Sequence, residues 1–252
     1  MHERQQQSVS GEIALVTGAA KRIGAAIATE LHAAGMQLAV HYRDSAVDAH
    51  ALCERLNAAR PVSAAAFQAD LIDAEAPAKL VAAVVSRFGG LDLLVNNAST
   101  FYATPPGEIS EAAWSDLIGS NLKAPMFLSQ AALPYLEKTG GNIINIIDIH
   151  ARRPLRGYPV YSAAKAGLAM LTRSLAKDLA PTIRVNGVAP GAIDWPEDGL
   201  SAAAKQKILS QVPLGRAGNP SDVAKAVVFL VRDAGYVTGQ IMTIDGGRSI
   251  GW

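Results

Sequence analysis

Residues Asn142–Leu179 read N-I-I-N-I-I-D-I-H-A-R-R-P-L-R-G-Y-P-V-Y-S-A-A-K-A-G-L-A-M-L-T-R-S-L-A-K-D-L. An Ile-rich run opens the stretch, short and β-branched, as a buried strand is. A Pro/Gly/Arg loop breaks it, and a long segment of helical period follows. Tyr161 and Lys165 sit four apart at the start of that helix, so both side chains leave one face. Asp148 stands at the C-terminal end of the strand, where parallel α/β sheets bind their ligands. A phenol beside an ammonium is a proton donor. The charge of Lys165 is expected to favour the phenolate and lower the pKa of Tyr161 toward working pH.

Outward from this unit the same alternation repeats. Ile13–Thr17 reads as a strand, followed by T-G-A-A-K-R-I-G and an Ala-rich helix that ends at Gly35. Strands are predicted at Gln37–Tyr42, Val62–Gln68 and Asp92–Val95, with helices at Ala46–Ala59 and Glu75–Phe88 between them. A long helix is predicted over Glu111–Leu136, with a bend at Pro125. After the central unit come a strand at Ile183–Val188, a break at Pro190-Gly191 and a mixed stretch from Ala192 to Gly218 that covers a site. A helix at Pro220–Val231 and a last strand at Gln240–Ile244 close the chain. Strands alternating with helices of ten or more residues indicate βαβ units. The expected fold class is α/β: a single Rossmann-type, doubly wound parallel sheet of about seven strands with helices on both faces. Residues 1–10 are expected to be a flexible segment and 11–252 one domain.

The totals narrow the class. A chain of 252 residues with 50% hydrophobic content supports a large core. A formal net charge of +1 gives no signal for nucleic acid or another charged partner. The five histidines, at 2, 32, 41, 50 and 150, have no metal-ligand spacing, so no metal is expected. Cys53, the single cysteine, lies in a predicted helix as an inert apolar residue. The N-terminus lacks a signal-peptide core and no stretch has the apolar length of a membrane span. A soluble, cytoplasmic protein is expected.

Three places carry ligand chemistry besides the central unit. Gly18 and Gly24 in the first strand-to-helix turn let the backbone approach a pyrophosphate, with Lys21 and Arg22 adding charge for phosphates. At the end of the second strand stands H-Y-R-D-S, residues 41–45. An acidic residue there binds both ribose hydroxyls of NAD, whereas an arginine accommodates a 2′-phosphate. Arg43, with Tyr42 and Ser45, points to NADP(H); Asp44 fits this if its side chain turns away from the pocket. The fourth strand runs into Asn96-Asn97-Ala98-Ser99, with Phe101 close behind.

Thr17-Gly18, Gly24, Asp70, Asn96-Asn97-Ala98, Asn121, Tyr161-x-x-x-Lys165 and Pro190-Gly191 occur in order. Together they resemble the short-chain dehydrogenase/reductase family from Gly11 to Gly247. The departures are informative. Arg22 replaces the middle glycine of the cofactor turn, and Asp148 stands thirteen before the tyrosine, where the family usually has serine. With H-Y-R and N-N-A-S-T-F, these features are similar to the pteridine reductase branch. That branch uses NADPH to reduce dihydropterins and dihydrofolate and, in some bacteria, dihydromonapterin.

The resemblance implies further roles. Lys165 would hold the nicotinamide ribose, and Asn121 would kink its helix around a water in a proton relay. Asp70-Leu71 would border the adenine, Asn97 and Ala98 would line the cofactor groove, and Ile193 would contact the carboxamide. Ile23 belongs to the same phosphate turn, and Pro190-Gly191 to the same groove. Relatives are usually tetramers, so a homotetramer is expected.

Asp148 decides the chemistry on its own terms. A serine hydroxyl donates to the oxygen of a ketone as it gains charge, whereas an ionised carboxylate repels it. The same carboxylate accepts from N–H groups or steadies a protonated C=N bond, which argues for imine-type reduction. Phe101 is placed to stack on a flat pterin. Arg22 and Ser99 are placed to reach its polar edge. Trp195 either closes over the substrate or packs on the scaffold. Tyr158 is a weaker proton donor than Tyr161, because Ser162 rather than a lysine stands four residues on. An NADPH-dependent ketone or 3-oxoacyl reductase is the alternative enzyme, and a silent NADP(H)-binding regulator the alternative from another class.

Overall fold

The computed structural model describes residues 9–194 and 201–250. Seven strands form one parallel sheet in the order β3-β2-β1-β4-β5-β6-β7. They are β1 (Ile13–Val16), β2 (Gln37–Tyr42), β3 (Ala64–Gln68), β4 (Leu93–Asn96), β5 (Asn142–Ile146), β6 (Arg184–Pro190) and β7 (Ile241–Ile244). The helices are α1 (Arg22–Ala33), α2 (Ala46–Ala59), α3 (Ala76–Phe88), α4 (Glu111–Ile118), α5 (Ala124–Thr139), α6 (Pro159–Asp178), α7 (Ala202–Leu209) and α8 (Pro220–Val228). The order reverses between β1 and β4, which opens a crevice beyond the C-terminal ends of those strands.

Strand side chains alternate between two cores, as a pleated sheet covered on both faces requires. In β1, Ala14 and Val16 join the core under α1, α2 and α8, whereas Ile13 and Leu15 join the one under α3 and α5. All four residues of the strand are buried. Below the crevice a polar ladder crosses the sheet. Asn96 Nδ2 donates to Asn145 Oδ1 at 2.8 Å, and Asn145 Nδ2 donates to Thr172 Oγ1 at 2.9 Å. These bonds tie β4 to β5 and β5 to α6 in one register.

The differences from the sequence reading have local causes. Val62 adopts a φ of 60°, so the third strand starts at Ala64 and not at Val62. Val9 is buried in the core, so packing begins inside the segment expected to be flexible. The long helix predicted over Glu111–Leu136 is α4 and α5 separated by a π-helical turn at Gly119–Lys123. Pro125 has no N–H to give the carbonyl of Asn121, and Ala124 N–H instead reaches Gly119 O, one residue beyond α-helical spacing. The helix ladder therefore shifts before Pro125, at Asn121. Among the described residues, no helix is long and apolar enough to cross a membrane and no cluster of ligating side chains could hold a metal. Cys53 is buried in α2, which pushes its thiol up to about 11.

Candidate active site

The crevice holds two cavities, of about 230 and about 660 Å³, that share Gly18, Lys21, Ala98 and Ser99 as a common wall. The smaller lies over the ends of β2 and β3. The larger runs from the turn before α1 to β5, α6 and the loop after β7.

The β1–α1 turn is built by its neighbours. Asn97 Nδ2 donates to Thr17 O at 2.8 Å and Gly18 O at 3.0 Å, and Thr17 Oγ1 accepts from the N–H groups of Asn97 and Ala98. Gly18 has a φ of 59°, and a Cβ on Gly24 would lie 2.3 Å from Gly18 O. Only glycine fits at Gly24, because the helix starts in contact with the turn. The first-turn amides of α1, at Arg22, Ile23 and Gly24, have no carbonyl one turn back within the helix and face this crevice.

His41 is a member of this frame that the sequence reading passed over. It is buried, its Nδ1 accepts from Gly18 N–H at 3.1 Å, and its Nε2 donates to Ala69 O at 3.1 Å. Burial pushes its pKa down to about 4, so the neutral ring is the state that joins the turn to the end of β3. Its alternating position in β2 gave no sign of this, since any inward-facing residue of the strand shares it.

The smaller cavity is lined by Tyr42, Arg43, Ser45, Asp70 and Leu71, all anticipated from the sequence. Asp44 lines it too and does not turn away: its carboxylate accepts from Arg43 Nε at 2.8 Å. Lys21 pairs with Asp48 at 3.0 Å. Arg22, in the larger cavity, donates from Nη2 to Asp194 O at 3.1 Å and so ties the turn to the loop after β6. Pro190, Gly191 and Ile193 line the same wall, and Ile193 bridges to Gly218. Trp195 lies outside the described residues.

The reactive groups meet at the far side of the larger cavity. Asp148 caps a short 3-10 turn at Ile149–Ala151: its Oδ1 accepts from His150 N–H at 2.8 Å. Its Oδ2 accepts from the Tyr161 hydroxyl at 2.8 Å. Lys165 is fully buried, donates to Ile146 O at 3.0 Å and has its Nζ 5.7 Å from the Tyr161 ring centre. Burial brings Lys165 down to about 8, against the opposing pull of Asp148. Tyr161 corrects the expectation of a lowered pKa. Burial first, and then the charge and hydrogen bond of Asp148, raise it well above the usual phenol value, and a hydrogen bond with Ser99 opposes them only in part. Burial and the adjoining Asp148 carboxylate together set the direction of the shift, against the pull expected from the ammonium.

Asn121 sits in the π turn with its side chain spent. Its Nδ2 donates to Thr100 O and Leu117 O at 3.0 and 2.9 Å, and its Oδ1 accepts from Ser99 Oγ at 2.6 Å. It thus positions Ser99 beside Tyr161. Phe101 is half-exposed at the cavity, stacked on Tyr158 with centroids 4.7 Å apart and edge-on to Tyr161 at 4.8 Å. Tyr158, set aside as a proton donor, is the other half of this aromatic wall. Arg248, from the loop after β7, also lines the cavity and belongs to no motif read from the sequence.

The groove fits a dinucleotide on these observations: glycines where the backbone must be approached, a helix N-terminus at its middle, and a ribose-facing pocket at one end. The arrangement provides a proton donor, a carboxylate and a buried ammonium around one point at the other end.

Comparison with known proteins agrees. The family model described as enoyl-(acyl carrier protein) reductase matches residues 18–249. Pteridine reductase 1 of Leishmania tarentolae is 39% identical, over 96% of this chain and 98% of its own length. A 3-oxoacyl-(acyl-carrier-protein) reductase of Staphylococcus aureus is 40% identical, over 93% of this chain and 96% of its own. The chain belongs to the short-chain dehydrogenase/reductase family, whose reductases use nicotinamide cofactors, and is an oxidoreductase.

Proposed function

We propose that this oxidoreductase uses NADPH to reduce a C=N bond of a dihydropterin or dihydrofolate to the tetrahydro form. Similarity to the two relatives is balanced, so the reading rests on one observation: Tyr161 donates its proton to Asp148, a carboxylate, at 2.8 Å. A ketone gains negative charge on oxygen as it is reduced, and an ionised Asp148 opposes that charge. A ring nitrogen gains positive charge when protonated, and the same carboxylate stabilises it.

Bound reduced nicotinamide supplies a hydride to the ring carbon. The chain's residues handle the proton. Tyr161, made a weak acid by burial and by Asp148, yields its proton to the nitrogen rather than to a weakly basic ketone oxygen. Lys165 is charged below about pH 8 and favours the phenolate left behind. The Ser99 hydroxyl adds to that effect if it turns its single O–H from Asn121 to the phenolate. The Phe101–Tyr158 wall offers a flat surface beside Tyr161 for a pterin ring. Lys21, Arg43 and Ser45 around the smaller cavity favour a 2′-phosphate, for which Arg43 and Lys21 would exchange their exposed, weak pairs with Asp44 and Asp48. Exposed Trp114, Phe127 and Met170 on α4, α5 and α6 support a homotetramer assembled through these helices.

The test is turnover of the purified protein with NADPH or NADH, followed at the cofactor absorbance. Dihydrobiopterin, dihydrofolate and acetoacetyl thioester are the substrates. Oxidation of NADPH with the first two supports the reading. Oxidation with the thioester alone replaces it with the ketone reductase.

A further inference from the structure

Among the described residues, Arg248 is a built feature without a partner of opposite charge. The turn that carries it is fixed by Asp245, whose Oδ1 accepts from Gly247 N–H at 2.9 Å and whose Oδ2 accepts from Ser249 N–H at 2.6 Å. Arg248 N–H donates to Asp245 O at 3.1 Å. The side chain then lines the cavity that Asp148, Leu155, Tyr158 and Ile208 also line.

Two carboxylates attract its charge, Asp148 and Asp245, and neither pairs with it. Both oxygens of each already accept from other donors. Among the described residues Arg248 forms no ion pair, and its side-chain hydrogen bond is a 3.4 Å contact with the neutral amide of Gln211. Burial lowers the guanidinium pKa, the mark of a charge withdrawn from water with too few acceptors in return. A guanidinium has five N–H donors in a planar fork that matches a carboxylate.

The place of Arg248 indicates which carboxylate. The turn before α1 has its own cations, Lys21 and Arg22, for cofactor phosphates. Ile208 stands on α7, none of whose residues is buried, so the side of the cavity shared by Ile208 and Arg248 is its mouth. A ring bound against Tyr161 and Phe101 would have this side of the cavity as the way out for its substituent.

We propose that Arg248 binds a carboxylate on the substrate's tail, which makes a dihydrofolate, with its glutamyl carboxylates, the preferred substrate over a pterin with a neutral side chain. The proposal rests on the C=N reductase reading above.

The experiment compares dihydrofolate with dihydrobiopterin in wild type, R248Q and R248K, with thermal melting to verify that each variant is folded. R248Q is expected to raise the KM for dihydrofolate about tenfold at unchanged kcat, the size of a lost charge-assisted contact. The KM for dihydrobiopterin should stay within about twofold, since no charged contact is lost. R248K, which keeps the charge without the fork, should recover part of the loss. An equal loss on both substrates would overturn the proposal, because Arg248 would then act through Asp148. So would no loss on either. Wild-type turnover of dihydrobiopterin separates the two levels. If it is present without a selective R248Q effect, only the tail contact fails; if wild type reduces neither substrate, the reductase reading fails and this inference with it.

Discussion

The two ends of the crevice are stabilised in opposite ways. Around the β1–α1 turn the backbone is held by hydrogen bonds with neutral groups: Thr17, Asn97 and an uncharged His41. Around Tyr161 three ionisable groups are held where burial disfavours the charge: Tyr161 is raised, and Lys165 and Arg248 are lowered. A binding frame needs fixed shape, and satisfied neutral contacts give it cheaply. A reaction centre needs groups ready to exchange protons and accept new partners, and incomplete compensation keeps them so.

This contrast predicts different failures at the two ends. The largest loss belongs to the charged end. Tyr161→Phe removes the proton donor and is expected to lower kcat by about a thousandfold. Cofactor affinity, measured by fluorescence titration, should be retained. A loss of cofactor binding instead would mean that the two ends are not separate. Gly24→Ala should do the reverse. Its new Cβ meets Gly18 O, so the turn must shift, at a cost of about 1–3 kcal/mol in stability. A raised KM for NADPH and a lower Tm, with Tyr161 chemistry intact in single turnover, is the expected pattern.

The smallest effect is on pH. Lys165 loses its charge as pH rises through about 8, so kcat should decline above that value, approaching tenfold per pH unit. The same lowered pKa has an opposite sign for stability. The unfolded chain keeps its lysine protonated up to the ordinary lysine value of 10.5, so this group's contribution to stability rises with pH between about 8 and 10.5. Activity and stability should therefore diverge in that window. Parallel decline of both would point to unfolding rather than to Lys165.

Much of the frame was legible in the sequence because it depends on periodicity and turn chemistry. The strand–helix alternation, the glycines at 18 and 24, and the spacing of Tyr161 and Lys165 need only local rules. The sequence also marked Asp148 as unusual. It could not give the sign of the Tyr161 shift, because that depends on which of Lys165 and Asp148 lies nearer and on how deeply the ring is buried. His41 and Arg248 were missed for the same reason: each depends on groups distant in sequence, Gly18 and Ala69 for one, the Gln211 amide and the charge of Asp148 for the other. The role of Asn121 was half legible. The helix is interrupted at that residue, but its amide holds Ser99 and Thr100.

Asp148→Ser tests the central claim most directly, read as the ratio of kcat/KM for dihydrobiopterin to that for acetoacetyl thioester. Replacing the carboxylate by a hydroxyl donor should lower the pterin rate by about a hundredfold and raise the ketone rate, inverting the preference. A ratio unchanged from wild type would contradict the account, because the carboxylate at this position would then have no part in choosing nitrogen over oxygen.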